Sequence, residues 1–256
     1  MVSKKVQSQP NKKPTQGFVV IASRKKSFYL SALNLIESVR DYMPEAKFAL
    51  FTEKRFMDHR CDDIDYVYEC GGHVREKMYG MANSPFDQTF YIDADCECEH
   101  EDIADVFNRL GDNDMVFVKL TKEKDAQRVF IEVNFDNEGK KGSLELCGGV
   151  CLYNSAKPIV KEFMQDWYDL FLKQNSGDWW PKGYPKSLAR WDQFTLWWLV
   201  NKVEKYKDLK IGIFEDNYRW NWFAPFGFHI NGKHRLVDKH PVIIHYSCFF
   251  KKDKEY

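Results

Sequence analysis

The sequence carries no net charge: 38 Lys and Arg offset 38 Asp and Glu over 256 residues. Proteins that hold duplex nucleic acid gather it through a basic field. No nucleic-acid partner is therefore expected, and an anionic ligand must be met by local charges. Long apolar runs are also missing. No stretch reaches the ~20 apolar residues that cross a bilayer, and the lysine-rich start is unlike the apolar core of a signal peptide. No integral membrane segment is expected. The seven cysteines are odd in number and irregularly spaced, which argues against a disulfide framework and for a reducing compartment. Together these absences predict a cytoplasmic protein.

Aromatic residues are abundant, with 20 Phe, 13 Tyr and 8 Trp. That supply, and the chain's length, suit one large α/β domain. Residues 1–16 are polar, contain Pro10 and Pro14, and read as a flexible arm. The domain then runs over 17–256, with a nucleotide-binding half to about residue 120 and an acceptor-binding half after it. Gly17–Ala22 is a short apolar run without alternation, as strands covered on both faces are. Helical spacing follows over 28–43 and stops at Pro44. Strands are expected at Lys47–Thr52 and Asp65–Tyr68, and a helix over Val74–Asn83. Thr89–Ile92 is another buried strand, and Asp93 stands at its carboxyl end. Further strands are expected over Met115–Lys119, Arg128–Val133 and Leu146–Tyr153, with helices over 157–173 and 190–205. Strand, helix, strand is how a doubly wound nucleotide-binding sheet opens.

In such sheets ligands bind at the carboxyl ends of the strands. Asp93 and Asp95, spaced i and i+2 after a buried strand, are expected to project in similar directions. Two carboxylates so placed can hold a hard divalent ion, leaving its other positions to phosphate oxygens and water. The acidic residues that follow (Glu97, Glu99, Glu101, Asp102) read as a solvated turn. Seven of the eight tryptophans fall between 179 and 222. Trp197 and Trp198 sit at helical positions and are assigned to the core. Trp179, Trp180, Trp220 and Trp222 flank Pro, Gly and Asn, and are expected to offer ring faces to sugars.

Several landmarks then resemble one family, in that family's order. Phe90–Asp95 (FYIDAD) is similar to the strand and D-x-D motif of the retaining GT-A glycosyltransferases related to glycogenin and the lipopolysaccharide galactosyltransferases. Lys77 precedes Asp93 where those enzymes have a lysine. Cys147–Asn154 (CGGVCLYN) resembles their N-S-G-V strand, Asp192-Gln193 their D-Q element, and Ile243–Tyr246 (IIHY) their C-terminal H-F. Cys147, Cys248 and Lys252-Asp253 depart from the pattern. The resemblance implies a GT-A, Rossmann-like fold: a mostly parallel sheet flanked by helices, with a smaller antiparallel acceptor-side portion. It implies Mn2+ (or Mg2+) held by Asp93, Asp95 and His245, and a nucleotide-sugar donor with uridine as its base, a UDP-sugar. The donor would meet Lys77, Lys251, Ala94, Gly148 and Gly149. Asp192 and Gln193 would approach the sugar, and a glycan or protein hydroxyl would accept it with retention. Arg75 is a second cation for the phosphates. Ala22, Ser23, Arg24 and Tyr29 are placed at the base or ribose by architecture.

Four rival readings are weaker. A D-x-D phosphatase usually carries its motif on the first strand, whereas a full strand-helix-strand unit precedes Asp93. A nucleotidyltransferase shares the fold class, and a Trp-rich carbohydrate-binding protein without chemistry shares the aromatics. A zinc clip of Cys96, Cys98 and His100 has poor spacing for a tetrahedral site.

Overall fold

The computed structural model describes residues 15–73, 75–119, 144, 146–223 and 240–246. The predicted arm lies outside them except at Thr15 and Gln16, as do the strand expected over 128–133 and Lys251. β1 (Gln16–Ala22), α1 (Lys26–Tyr42), β2 (Phe48–Thr52) and β3 (Tyr66–Glu69) follow the expected alternation. α2 (Lys77–Ala82) leads to β4 (Gln88–Ile92), the short β5 (Cys96–Cys98), a ten-residue 3-10 segment (Glu101–Leu110) and β6 (Met115–Lys119). After β7 (Leu146–Asn154) come α3 (Pro158–Ser176), α4 (Asp192–Lys202), β8 (Ile211–Ile213), β9 (Trp222–Phe223) and β10 (Ile243–His245). α3 begins with Pro158 in its first turn and ends at Gly177 with φ 86°, the usual asymmetry of helix punctuation.

Seven strands form one sheet in the order β3-β2-β1-β4-β7-β6-β8. β1 to β4 are mutually parallel, and β7 alone runs against its neighbours. Alternation, invisible where both faces are covered, emerges in the packing. Phe18, Val20, Phe90, Ile92, Val150 and Leu152 point to a core under α1 and the 3-10 segment. Val19, Ile21, Tyr91, Cys151 and Tyr153 point to a second core under α2, α3 and α4. Helices thus flank both faces of a mostly parallel sheet. A second sheet, β5-β10-β9, pairs β10 antiparallel to β5 and parallel to β9. The β1–β2 crossover goes one way and β4 lies on the other side of β1, so the strand order reverses between β1 and β4. That switch point is where doubly wound sheets bind ligands.

Candidate functional site

The parallel register aligns Ala22, Thr52 and Glu69 at one sheet edge, and Ile92 pairs with Val150 beside them. The chain leaves β4 there through a tight turn, in which Cys96 N–H donates to Asp93 C=O at 3.1 Å. A turn reverses the chain where a strand would have continued. Around this turn the two carboxylates take different partners: Asp93 meets Tyr91 and Lys77, and Asp95 meets His245.

On the helix side, Tyr91 OH donates to Asp93 Oδ1, and Lys77 Nζ lies 3.6 Å from the same oxygen. Lys77 also lies 2.9 Å from Asp192 Oδ2 and donates to Gly148 C=O at 3.2 Å. Arg75 Nε is 3.3 Å from Asp192 Oδ1. Asp192 opens α4 without capping it; its side chain turns to the two cations, and the residue is 2% exposed. Burial works to raise the Asp192 carboxyl, but Lys77 and Arg75 outweigh it and hold it low. Burial likewise opposes the Lys77 charge, and Asp192 and Asp93 override it, so its ammonium is held above its usual range. Burial, then Asp93, raises Tyr91 far above the usual phenol range. Gln193 follows Asp192, half-buried.

The backbone of β7 is shaped for this cluster. Its pairing with β6 slips between Phe117 and Val118, so Gly148 to Val150 leave that ladder. Such bulges re-aim a strand beside functional sites. In this stretch the Gly148 carbonyl accepts from Lys77, and the Gly149 carbonyl accepts from the Asp93 amide at 2.9 Å, extending the β4–β7 ladder. A Cβ on Gly149 would stand 2.7 Å from Asp93 Oδ2, and one on Gly148 would stand 2.9 Å from the Trp167 ring. A side chain at Gly148 would push on the buried Trp167 ring, and one at Gly149 would displace the Asp93 carboxylate.

On the other side, β10 lays His245 against Cys96 in the antiparallel ladder. His245 Nε2 is 3.1 Å from Asp95 Oδ1, and Nδ1 is 2.9 Å from Asn221 Oδ1. Asn221 is oriented in turn by its Nδ2, 3.0 Å from Cys147 Sγ. The ligand atoms of Asp95, Cys96 and His245 lie within 4.8 Å of one another. This donor set fits a divalent cation: carboxylate and imidazole converge, and the second ring nitrogen is engaged by an amide oxygen, as in metal sites where an outer partner orients the histidine. Asp93 is not part of this trio. Burial opposes protonation of His245, but Cys96 and Asp95 raise it well above the usual imidazole range. Cys98 and His100 take no part: Cys98 Sγ faces the His100 carbonyl, and His100 Nδ1 accepts from the Asp102 amide.

At the far end of β1, Ser23 Oγ donates to the His73 carbonyl at 3.0 Å, and Ala22 and Ala94 are buried. Tyr29 does not reach the surface: it is 0% exposed, and its hydroxyl is held by Asp58 and Cys61. Arg24, at φ 72°, presents its amide to Glu53, and Arg55 donates to the Arg24 carbonyl. Left-handed backbone at a non-glycine residue is held by its surroundings and clusters at functional sites. Glu53 and His73 went unnoticed in the sequence because no motif marks them. Trp220 and Trp222 are 0% and 4% exposed, core residues rather than sugar platforms; Trp220 stacks on Phe214 and lies under Arg109. Trp179 and Trp180 are half-buried and pack with Tyr184 and Trp198 around Phe194 and Trp197.

No protein-family model matches the sequence, and no curated protein matches it in sequence. Solved structures do match in shape. The chain is similar to the galactosyltransferase LgtC, solved in complex with donor and acceptor sugar analogs, at 12% identity and TM-score 0.55, over 90% of this chain and 87% of that one. It is similar to the glycosyltransferase GlyE of Streptococcus pneumoniae at 18% identity and TM-score 0.54, over 91% of this chain and 54% of that one. It also resembles the bifunctional glycosyltransferase WbbM at 13% identity and TM-score 0.55, over 94% and 47%. The chain thus spans about half the length of GlyE and WbbM. The fold is that of GT-A glycosyltransferases.

Proposed function

We propose that this chain moves a hexosyl group from a nucleotide-diphosphate sugar, with uridine as the base, to a hydroxyl of a glycan or protein, with retention. The observation that carries the reading is the Asp93–Cys96 turn. It stands at the switch point of a glycosyltransferase fold and sends one carboxylate to a lysine and the other to a histidine. Asp95 and His245 would hold Mn2+ or Mg2+, with Asp93 adjacent. When bound, that ion supplies Lewis acidity to the departing diphosphate.

The chain's own residues do the rest. Lys77 carries its charge in a poorly solvated place, where a fixed cation is worth more against developing phosphate charge than it is in water. Arg75 lies on the same side, and Lys251, outside the described residues, is assigned to the same phosphates. Ala22, Ser23 and Arg24 border the end of β1, where the nucleoside would lie. Gly148 and Gly149 let Trp167 and Asp93 pack against the β7 backbone beside the donor site. Asp192, kept ionised by its two cations, and Gln193 border the sugar. No separate strong base is required within this reading, since the leaving phosphate can take the acceptor proton.

Hydrolysis and thermal-shift screens over UDP-, GDP- and dTDP-sugars with manganese test this. Turnover and a melting shift with one UDP-sugar, both removed by EDTA, are expected. UDP binding and activity that ignore EDTA would refute the metal assignment.

A further inference from the structure

We propose that Cys96 Sγ is itself a ligand of the cation held by Asp95 and His245, so that this site prefers a borderline, thiophilic ion such as Zn2+ or Co2+ to Mg2+. The use of that ion in sugar transfer rests on the function proposed above; its binding does not.

Three observations converge on the thiol. Cys96 and His245 are direct partners across the β5–β10 ladder, which brings a sulfur and an imidazole to one spot by backbone register alone. The Sγ lies within 4.8 Å of both the Asp95 carboxylate and the His245 ring nitrogen. His245 is meanwhile held from behind by Asn221, so its Nε2 is kept facing Asp95. An oxygen, a nitrogen and a sulfur are thus gathered from two strands and one turn, at a residue 3% exposed.

A buried cysteine is most often a small apolar filler. Packing does not call for the carboxylate and imidazole beside this one. Thiolate and imidazole ligands favour Zn2+ and its borderline neighbours, whereas Mg2+ favours oxygen alone. Three protein ligands with a position left over is also the layout of zinc sites that carry out chemistry rather than hold a fold. Burial pushes the Cys96 thiol up to about 11, so it is protonated at neutral pH without metal. As the sulfur–metal bond forms, the S–H proton leaves to solvent, as it does wherever a thiol coordinates.

The full chain, stripped with chelator and titrated with Co2+ without any nucleotide, decides the matter. A near-ultraviolet thiolate-to-cobalt charge-transfer band is expected in the unaltered protein, absent in Cys96→Ser and retained in Cys98→Ser, whose Sγ faces the His100 carbonyl instead. Zn2+ affinity should fall at least about tenfold in Cys96→Ser, while Mg2+ affinity stays within about twofold. No charge-transfer band in the unaltered protein would overturn the proposal, and so would a band that survives Cys96→Ser. Because the first reading is on the unaltered chain, misfolding of the variant does not rescue the idea. Donor turnover separates the two claims. A band without turnover by any ion sinks the glycosyl-transfer reading alone; manganese-dependent turnover without a band sinks this inference alone.

Discussion

Lys77 Nζ sits 2.9 Å from Asp192 Oδ2, joining the first residue of α2 to the first residue of α4. A carboxylate at a helix start is favourable and an ammonium there is not; the pairing lets Asp192 offset what Lys77 costs α2. Removing one partner of a buried pair costs about 3–5 kcal/mol where the other is left unpaired; here Arg75 stays beside Asp192 and Asp93 beside Lys77, so each single loss is smaller, and removing both leaves neither charge facing the other's gap. Urea unfolding of Lys77→Met, Asp192→Leu and the double variant should therefore show the double less destabilised than the sum of the singles. Simple additivity would mean that the pair is not coupled.

The same pair sets a pH window. Asp192 is held below the ordinary carboxylate value of about 3.9, so its contribution is present above that value and lost as pH falls through its folded value. Lys77 is raised, so its contribution is complete below its ordinary value of about 10.4 and lost as pH rises through the folded one. The difference in melting temperature between the unaltered chain and the double variant should be flat from about pH 5 to 10 and shrink outside that range. A difference that changes steadily across neutral pH would contradict it.

Gly148 and Gly149 are adjacent, yet substitution should fail in different ways. The Gly149→Ala methyl meets a carboxylate oxygen of the site, whereas the Gly148→Ala methyl meets the buried Trp167 ring. Overpacking of a filled core costs about 1–3 kcal/mol. Gly148→Ala is expected to lower the melting temperature more, and Gly149→Ala to lower donor turnover more than stability. Melting curves paired with hydrolysis rates check this; equal loss of both properties in the two variants would count against the assigned contacts.

How far the sequence foretold this site depends on the residue. β1, β2 and β4 were legible because strands covered on both faces are continuous apolar runs, and Asp93 fell where the β4 run stopped. The small sheet was not legible as pairing. β5, β9 and β10 are two or three residues long, too short for any period to show. Glu97 and Glu99 disguise β5 as a solvated turn, although Cys96 and Cys98 between them are buried. That Asp93 and Asp95 take different partners depends on the packing of Lys77 and His245 around the turn, which composition does not encode. Trp220 and Trp222 differ from expectation for a related reason: the Asn between them suggests a loop, yet Asn221 is itself buried against His245, as the preceding Arg219 is against Asp102.

The aromatic cluster over α4 should behave as a local core. Trp180 stacks on Phe194, which stacks on Trp197, and Trp180 Nε1 donates to the Tyr184 carbonyl at 2.9 Å. Phe194 is 0% exposed, and truncation of such a ring costs about 3–5 kcal/mol. Phe194→Ala is expected to raise amide exchange over 178–190 while β1 and β4 stay protected. Uniform loss of protection across the sheet would show that the cluster is part of the main core.

Asp93 and Asp95 make the sharpest contrast. Asp95 shares the cation trio with His245 and Cys96, whereas Asp93 is engaged by Tyr91 and Lys77. Asp95→Asn should therefore weaken metal binding in the absence of nucleotide, and turnover should fall with it. Asp93→Ala should abolish metal-dependent turnover of the UDP-sugar without unfolding the domain, yet leave nucleotide-free binding of the ion closer to that of the unaltered chain. Calorimetric titration with Mn2+, set beside hydrolysis rates, separates the two variants. If both lost nucleotide-free binding equally, the two carboxylates would act as one ligand pair despite their different partners. Retained turnover in Asp93→Ala would remove Asp93 from the reaction altogether.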